Sequence, residues 1–131
     1  MSSLIKMFNR ILQAFSNRDN PGTMSDTKEM IDNLLQEKKV VVISKSYCPY
    51  CTKAKAALSK YAINPEDIEI LEIENRPEMD EIQRYMKKLT GQSSVPRVFI
   101  GGKCIGGGDD VMALHQSKQL ETMLKNVAAL N

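Results

Sequence analysis

Residues 40–51 have the sequence Val-Val-Val-Ile-Ser-Lys-Ser-Tyr-Cys-Pro-Tyr-Cys, which predicts both the fold and the chemistry of this chain. The apolar run that opens it is typical of a central strand buried on both faces of a sheet. The run that follows it, Thr52 to Leu58, favours a helix, so Cys48 and Cys51 lie at a helix start. Pro49 suits the first helical turn, where its missing N–H has no intrahelical partner anyway.

Two thiols three residues apart at a helix N-terminus can carry out disulfide exchange. The unpaired N–H groups and the partial positive charge there favour the thiolate, which is the nucleophile in the exchange. A helix dipole supplies about 0.3–2 kcal/mol, or roughly one pKa unit. Direct N–H bonds or a cation such as Lys45 or Lys53 must therefore supply the rest of the shift. We expect Cys48 to attack and Cys51 to resolve the mixed disulfide.

Composition limits the possible classes of protein. The 131 residues are 42% hydrophobic and 26% charged, which fits one soluble domain plus a tail. The chain has three cysteines, too few for a disulfide framework, so a reducing compartment is favoured. No apolar stretch approaches the roughly 20 residues that a membrane span needs. Balanced charge in residues 25–131 and the absence of tryptophan argue against nucleic-acid binding.

The first 24 residues differ in composition from the rest. Apolar residues recur at helical spacing up to Phe15, Lys6 and Arg10 are the charges within that stretch, and a turn-forming segment follows. We therefore divide the chain into an extension, 1–24, and a domain, 25–131. The extension resembles a mitochondrial presequence, with a disordered tail or a docked helix as the alternative. Met24 could also be an internal start, so a cytoplasmic location, a mitochondrial one or both stay open.

The hydrophobic pattern predicts the element order αβαβαββαα and therefore an α/β domain with a mixed four-stranded sheet flanked by helices. The predicted strands are Val40–Ser44, Ile68–Ile73, Val98–Ile100 and Lys103–Ile105, the last two joined by a Gly101-Gly102 hairpin turn.

Two of the predicted helices have signals at their ends. Asp26 and Glu29 form a capping-box-like start for the first helix. Another helix opens at Asn75-Arg76-Pro77 and ends at Gly91. Its buried face is predicted to hold Ile82, Tyr85, Met86 and Leu89.

Three separated blocks of sequence together resemble a dithiol glutaredoxin, of the thioredoxin-fold superfamily. They are Lys45 to Cys51, then Gly91 with Val95-Pro96-Arg97-Val98-Phe99-Ile100, then Gly106-Gly107-Gly108-Asp109-Asp110. Thioredoxins proper usually carry a tryptophan before the first cysteine and Gly-Pro between the two, and this chain has neither.

The resemblance implies a thioredoxin-like fold and a glutathione groove beside Cys48. It places Lys45 and Gln83 near the glycine carboxylate, Tyr50 along the groove, and the Val95 backbone against the cysteinyl unit. The γ-glutamyl end would lie at the turn that holds Gly107, Asp109 and Asp110. The resemblance also implies that Pro96 is cis.

The implied activity is that of a glutathione-dependent thiol–disulfide oxidoreductase, with glutathione as co-substrate. Cys48 would take glutathione from a mixed disulfide and free the protein thiol, and a second glutathione would restore Cys48. The partners are then glutathione and glutathionylated or disulfide-bonded proteins, and we expect a monomer without a resident metal. The alternatives are a dimeric carrier of an iron–sulfur cluster held by Cys48 and two glutathiones, and a partner of thioredoxin reductase.

Several of these residues have simpler interpretations. Lys45 and Gln83 could be solvated surface residues, and the two aspartates could act only as helix caps. A structural zinc is disfavoured because no second Cys or His pair accompanies the two cysteines. Cys104 is expected to be a semi-buried bystander thiol, with regulatory oxidation or dimerisation as the alternative. His115 is expected at a helix end without a catalytic part.

Overall fold

The computed structural model of the chain describes residues 24–131. The predicted extension, residues 1–24, therefore lies outside the described residues except for Met24. The elements follow the predicted order: α1 (Met24–Glu37), β1 (Val40–Ser44), α2 (Pro49–Leu58), β2 (Ile68–Glu72), α3 (Met79–Thr90), β3 (Arg97–Ile100), β4 (Lys103–Gly106), α4 (Gly108–Gln116) and α5 (Gln119–Asn126), with a 3₁₀ turn at Pro65–Asp67 before β2.

The four strands form one mixed sheet in the order β2-β1-β3-β4. β1 is parallel to β2 and antiparallel to β3, and β3 pairs with β4 as a hairpin. All five residues of β1 are buried, so the predicted central strand is confirmed. The hairpin turn is the predicted pair of glycines, with φ of 60° at Gly101 and 80° at Gly102.

Each face of the sheet has its own hydrophobic core, because successive side chains of a strand point to opposite faces. Val40 and Val42 pack with side chains of α2, α4 and α5, among them Ala54, Leu58, Val111, Leu120 and Leu124. Val41 and Ile43 pack with side chains of α1 and α3, among them Ile31, Ile82, Tyr85 and Met86, and with Phe99 of β3. The central strand is thus held from both sides.

This topology brings four connections to one edge of the sheet, the edge at which β1 and β2 end. Ser44 pairs with Glu72, so the segments that follow β1 and β2 leave the sheet side by side. Ile43 pairs with Arg97, which places the segment before β3 at the same edge. Val98 pairs with Gly106, so the turn from β4 into α4 also lies there. Within residues 24–131, no helix is both long and apolar enough to cross a membrane.

Three details of the predicted helices are wrong. The described α1 begins at Met24, so Asp26 lies inside its first turn and not at its cap. α3 begins at Met79, after a turn in which Met79 N–H bonds the Arg76 carbonyl. Leu89 is 45% exposed although it continues the buried spacing of α3. Helical spacing predicts the face on which a residue lies, but not how far along the helix the neighbouring elements reach.

Candidate active site

Cys48 is the N-cap residue of α2 and has an extended backbone, with φ of −88° and ψ of 121°. Its sulfur accepts the backbone N–H of Cys51 over 3.4 Å. A side chain that bonds an N–H of the first turn is what an N-cap requires, and a cysteine here takes the place usually held by Ser, Thr, Asp or Asn. Pro49 occupies the first position of the helix, as predicted. The reactive atom is therefore fixed at the positive end of a helix.

Five effects act on the protonation of Cys48. Partial burial alone raises its pKa, but hydrogen bonds from the Cys51 thiol and from the backbone N–H groups of Cys51 and Tyr50 lower it, and the charge of Lys45 lowers it further. The result is a pKa below the usual value of a cysteine thiol. The helix N-terminus and the direct hydrogen-bond donors together lower the pKa of Cys48 more than the helix dipole alone would. Cys48 is therefore the more acidic thiol of the pair.

Cys51 has the opposite environment. Its side chain is fully buried, and burial raises its pKa above the usual value of a thiol. The backbone N–H of Lys45 donates to its sulfur over 3.4 Å, which offsets part of this effect. Both cysteines are free thiols in this structure. The motif thus holds one accessible sulfur that favours the anion and one inaccessible sulfur that favours the neutral form.

The segment before β3 borders Cys48 on a second side. The Val95 carbonyl oxygen lies 3.9 Å from the Cys48 sulfur, and the Val95–Pro96 peptide is cis, as the resemblance implied. Arg97 is buried and its Nε donates to the Pro96 carbonyl over 2.9 Å. Gln83 on α3 donates its side-chain amide to the Ser93 carbonyl over 3.0 Å. Two polar side chains therefore hold the backbone of this segment.

The start of α4 borders the site on a third side. Gly108 lies so close to Tyr50 that an added Cβ would be 2.5 Å from the Tyr50 carbonyl oxygen. A side chain at this position would therefore force the two helix starts apart. Gly107 N–H donates to the Asp110 carboxylate over 2.9 Å, which satisfies one of the otherwise unpaired groups at the helix start.

A charged cluster lies on the solvent side of these two helix starts. Asp109 has a side chain that is 73% exposed, and it forms an ion pair with Lys53 of α2 at 2.9 Å. The same ammonium group lies 5.3 Å from the centre of the Tyr50 ring. The ion pair raises the pKa of Lys53, mainly through its hydrogen bond with Asp109. The cluster gives the site one anion and one cation beside an exposed aromatic ring.

The site residues predicted from sequence fall into three groups on this edge. Contacts of Cys48 involve Cys51, Lys45 and Val95, and Pro96 adjoins the last of these. The α4 turn holds Gly107, Asp109 and Asp110, packed against the end of α2 that carries Tyr50. Gln83 donates its hydrogen bond to Ser93, in the segment before Val95. Among the hydrogen bonds of residues 24–131, none joins Gln83 to another predicted site residue. What each residue binds stays a prediction.

Sequence reasoning missed three polar residues at this edge, Ser46, Glu74 and Arg97. Both the N–H and the hydroxyl of Ser46 bond the carboxylate of Glu74, the N–H over 3.2 Å. A signal was available for this pair, because β1 and β2 are parallel and the residues that follow them must lie close together. Arg97 directly precedes the predicted strand Val98–Ile100, and no pattern indicated that a guanidinium there would be buried.

Two other sequence predictions concern residues outside these contacts. Cys104 lies on the edge strand β4 and is exposed, so the expectation of a semi-buried thiol is wrong. The hairpin places it on a strand with no neighbour beyond it among the described residues, which spacing alone does not reveal. His115 lies in the last turn of α4, where Nδ1 is 2.7 Å from the Tyr61 hydroxyl.

Comparisons with known proteins agree with this geometry. A glutaredoxin family model matches residues 40–105. Glutaredoxin-1 of Homo sapiens is 44% identical over 103 residues, which cover 79% of this chain and 97% of that protein. The crystal structure of oxidised glutaredoxin 2 from Chlamydomonas reinhardtii superposes with a TM-score of 0.76 at 42% identity, covering 82% of this chain and 98% of the other. A buckwheat glutaredoxin–glutathione complex has the same TM-score at 33% identity, covering 82% and 96%.

Proposed function

The chain belongs to the glutaredoxin family and is a glutathione-dependent thiol oxidoreductase; within that activity, we propose that Cys48 is the nucleophile and Cys51 the resolving thiol. The observation that carries this assignment is the contrast between the two sulfurs. Cys48 is partly accessible and bonded to N–H groups at a helix start, and its pKa is lowered. Cys51 is buried and its pKa is raised. Only the first can attack a substrate from solvent as a thiolate.

The first reaction in this proposal is the removal of glutathione from a protein. The Cys48 thiolate attacks the glutathione sulfur of a mixed disulfide, a new bond forms between these two sulfurs, and the protein leaves as a thiolate that takes a proton from water. The thiolate of a second glutathione then attacks the glutathione sulfur held by Cys48. Oxidised glutathione leaves, and Cys48 returns to the thiolate.

The second reaction is the reduction of a protein disulfide. Cys48 attacks one sulfur of the substrate and forms a mixed disulfide with it. Cys51 loses its proton and attacks Cys48, which releases the second substrate thiol and leaves a Cys48–Cys51 disulfide. Two glutathiones then restore the dithiol and become oxidised glutathione. The hydrogen bond between the Cys51 thiol and the Cys48 sulfur supports this resolving step, because it brings the two sulfurs together.

Glutathione fits the charges at this edge. It carries two carboxylates and one ammonium, and it therefore needs two cationic or N–H contacts and one anionic contact. We propose Lys45 and Gln83 for the glycine carboxylate and Tyr50 along the tripeptide. The start of α4 at Gly107 suits the other carboxylate, because helix N-termini bind anions. Asp109 suits the ammonium.

The backbone of Val95 suits the cysteinyl unit of the substrate. Its carbonyl is directed toward the Cys48 sulfur, and the residue is half-buried. A substrate strand that bonds this backbone would bring its own sulfur next to Cys48, in the manner of a strand added to a sheet edge. Pro96 fixes the direction of that segment. Gly107, Asp109 and Asp110 would then receive the γ-glutamyl end.

The extension and the compartment belong to the same proposal. We propose that residues 25–131 form the whole catalytic domain, that this domain acts as a monomer, and that residues 1–24 decide between a mitochondrial and a cytoplasmic location. A fusion of residues 1–24 to a fluorescent protein tests the proposed role of these residues in location. Accumulation in mitochondria supports import, whereas diffuse fluorescence assigns the protein to the cytoplasm. The relatives do not favour the iron–sulfur carrier, and we do not propose it.

Two cysteine variants test the assignment of roles. Cys48→Ser should lose both the removal of glutathione from a mixed disulfide and the reduction of protein disulfides in a glutathione-coupled assay. Cys51→Ser should keep the first activity and lose the second, because only the second needs a resolving thiol. Cys104→Ser is the matched control and should keep both. Full turnover by Cys48→Ser would overturn the assignment.

A further inference from the structure

Glu74 follows β2 and reaches the segment between β1 and the active site. Its carboxylate accepts the backbone N–H of Ser46 over 3.2 Å at one oxygen and the Ser46 hydroxyl at the other. Both oxygens thus bind one residue, which lies two positions before Cys48. The carboxylate is ionised at neutral pH, as glutamate side chains ordinarily are, and the hydrogen bond from Ser46 lowers the pKa of Glu74 further. Glu74 is therefore a charged, two-point attachment for this segment.

The segment that Glu74 holds contacts both thiols. The N–H of Lys45, the residue next to Ser46, donates to the Cys51 sulfur over 3.4 Å. The carbonyl of Lys45 accepts the N–H of Cys48 over 3.2 Å. The charge of Lys45 also lowers the pKa of Cys48. One short stretch of backbone therefore sets a donor on one sulfur, fixes the start of the helix that carries the other, and places a cation near it.

We propose that Glu74, through Ser46, is a positioning residue that stabilises the reduced dithiol of Cys48 and Cys51. This inference rests on the proposed function, since it assigns a role to Glu74 only within the dithiol reaction. Glu74 touches neither sulfur in these contacts, and it acts by holding the Lys45 peptide in place. A thiol or thiolate sulfur accepts an N–H better than a disulfide sulfur does. Loss of the attachment therefore raises the free energy of the dithiol more than that of the disulfide.

The equilibrium that reports this effect is the exchange of the dithiol with oxidised glutathione. The two cysteine thiols and one oxidised glutathione give a Cys48–Cys51 disulfide and two reduced glutathiones. Two electrons pass from the cysteines to glutathione, and the two protons of the cysteines pass to the glutathione thiols. Weakening the Lys45 contacts shifts this equilibrium toward the protein disulfide and makes the protein more reducing.

The test compares variants of the full chain equilibrated in glutathione buffers of known ratio. Glu74→Ala should raise the equilibrium constant for forming the protein disulfide roughly three- to tenfold, the range for one lost hydrogen bond. That change is about 15–30 mV toward a lower reduction potential. Glu74→Gln keeps an oxygen for the Ser46 N–H and an amide for its hydroxyl, and should stay within about twofold of wild type. Glu69→Ala removes a carboxylate from β2 itself, at a position that does not bond Ser46, and should leave the equilibrium constant unchanged.

A second measurement separates positioning from a general loss of stability. Glu74→Ala should also raise the pH at which the rate of Cys48 alkylation inflects, because Lys45 is no longer held near the thiolate. In Glu74→Gln this pH should return to the wild-type value. The inference is overturned if the potential and the inflection of Glu74→Ala both match wild type, even where its unfolding midpoint falls. It is equally overturned if Glu69→Ala produces the same shifts. If wild type itself forms no Cys48–Cys51 disulfide in these buffers, it is the proposed function that fails.

Discussion

The strand β1 (Val40–Ser44) and the loop that follows it, Lys45–Tyr47, show how the molecule separates stability from reactivity. Every residue of the strand is buried, and its four apolar residues, Val40–Ile43, belong to two apolar cores. The loop is largely exposed, and its polar groups bond sulfur or a carboxylate. A few ångströms along one chain thus separate a segment that packs from a segment that tunes chemistry. Changes to the core should alter the free energy of unfolding, and changes to the residues around the loop should alter the reactivity of the two cysteines.

The largest effect expected from the core side of this comparison is that of Phe99→Ala. Phe99 is 1% exposed and pairs with Val41 across the sheet, so its removal leaves a cavity next to the central strand. We expect a loss of about 3–5 kcal/mol in the free energy of unfolding, measured by urea denaturation. The pH at which Cys48 alkylation inflects should stay at the wild-type value under conditions in which the variant is folded. A shifted inflection in folded Phe99→Ala would show that core and site are not separate.

Asp110→Ala tests the boundary between the two regions. Asp110 accepts the Gly107 N–H and thereby caps α4, which packs against α2. Loss of a cap costs about 0.5–2 kcal/mol, and we expect the lower half of that range because the side chain is exposed. Asp109→Ala is the matched control, since this neighbour pairs with Lys53 and should lose little stability. Equal losses from the two variants, again by urea denaturation, would contradict the assignment of Asp110 as the cap.

The smallest effect is expected from Lys53→Gln, on the solvent side of the site. An exposed ion pair contributes little to folding, so the unfolding midpoint should not change. Loss of the cation should raise the KM for glutathione by at most about fivefold, because glutathione carries a net negative charge. The difference from wild type should shrink as salt rises. A lower KM, or a difference that salt does not reduce, would contradict this account.

The sequence predicts the sheet of this protein well because its signals are local and strong. The apolar run at Val40–Ile43, the paired glycines of the hairpin and Gly91 after α3 each specify one conformation through burial or backbone freedom. The start of α3 is less predictable, because Pro77 is compatible with both a first helical turn and the turn that precedes it. Leu89 shows the same limit at the other end of the helix.

The site is predictable only where a motif marks it. The spacing of the two cysteines indicates their chemistry. The sequence blocks that resemble glutaredoxins locate Val95 and the turn before α4. Glu74 and Arg97 have no such mark, since their contacts depend on strand register and on a backbone carbonyl that sequence does not show. The prediction for Cys104 is wrong for a related reason, since the exposure of a strand residue depends on whether another strand lies beside it.

The pH dependence of Cys48 alkylation tests the central claim most directly. Wild-type protein in the reduced state is treated with iodoacetamide between about pH 4 and 10, and modification of Cys48 is followed by mass spectrometry of the peptide that contains it. Because the N–H groups and Lys45 lower the pKa of Cys48, the rate should inflect below the value of about 8.5 for a free cysteine. Cys51, buried and with a raised pKa, should react more slowly throughout. An inflection of Cys48 at or above the free-cysteine value would contradict the account.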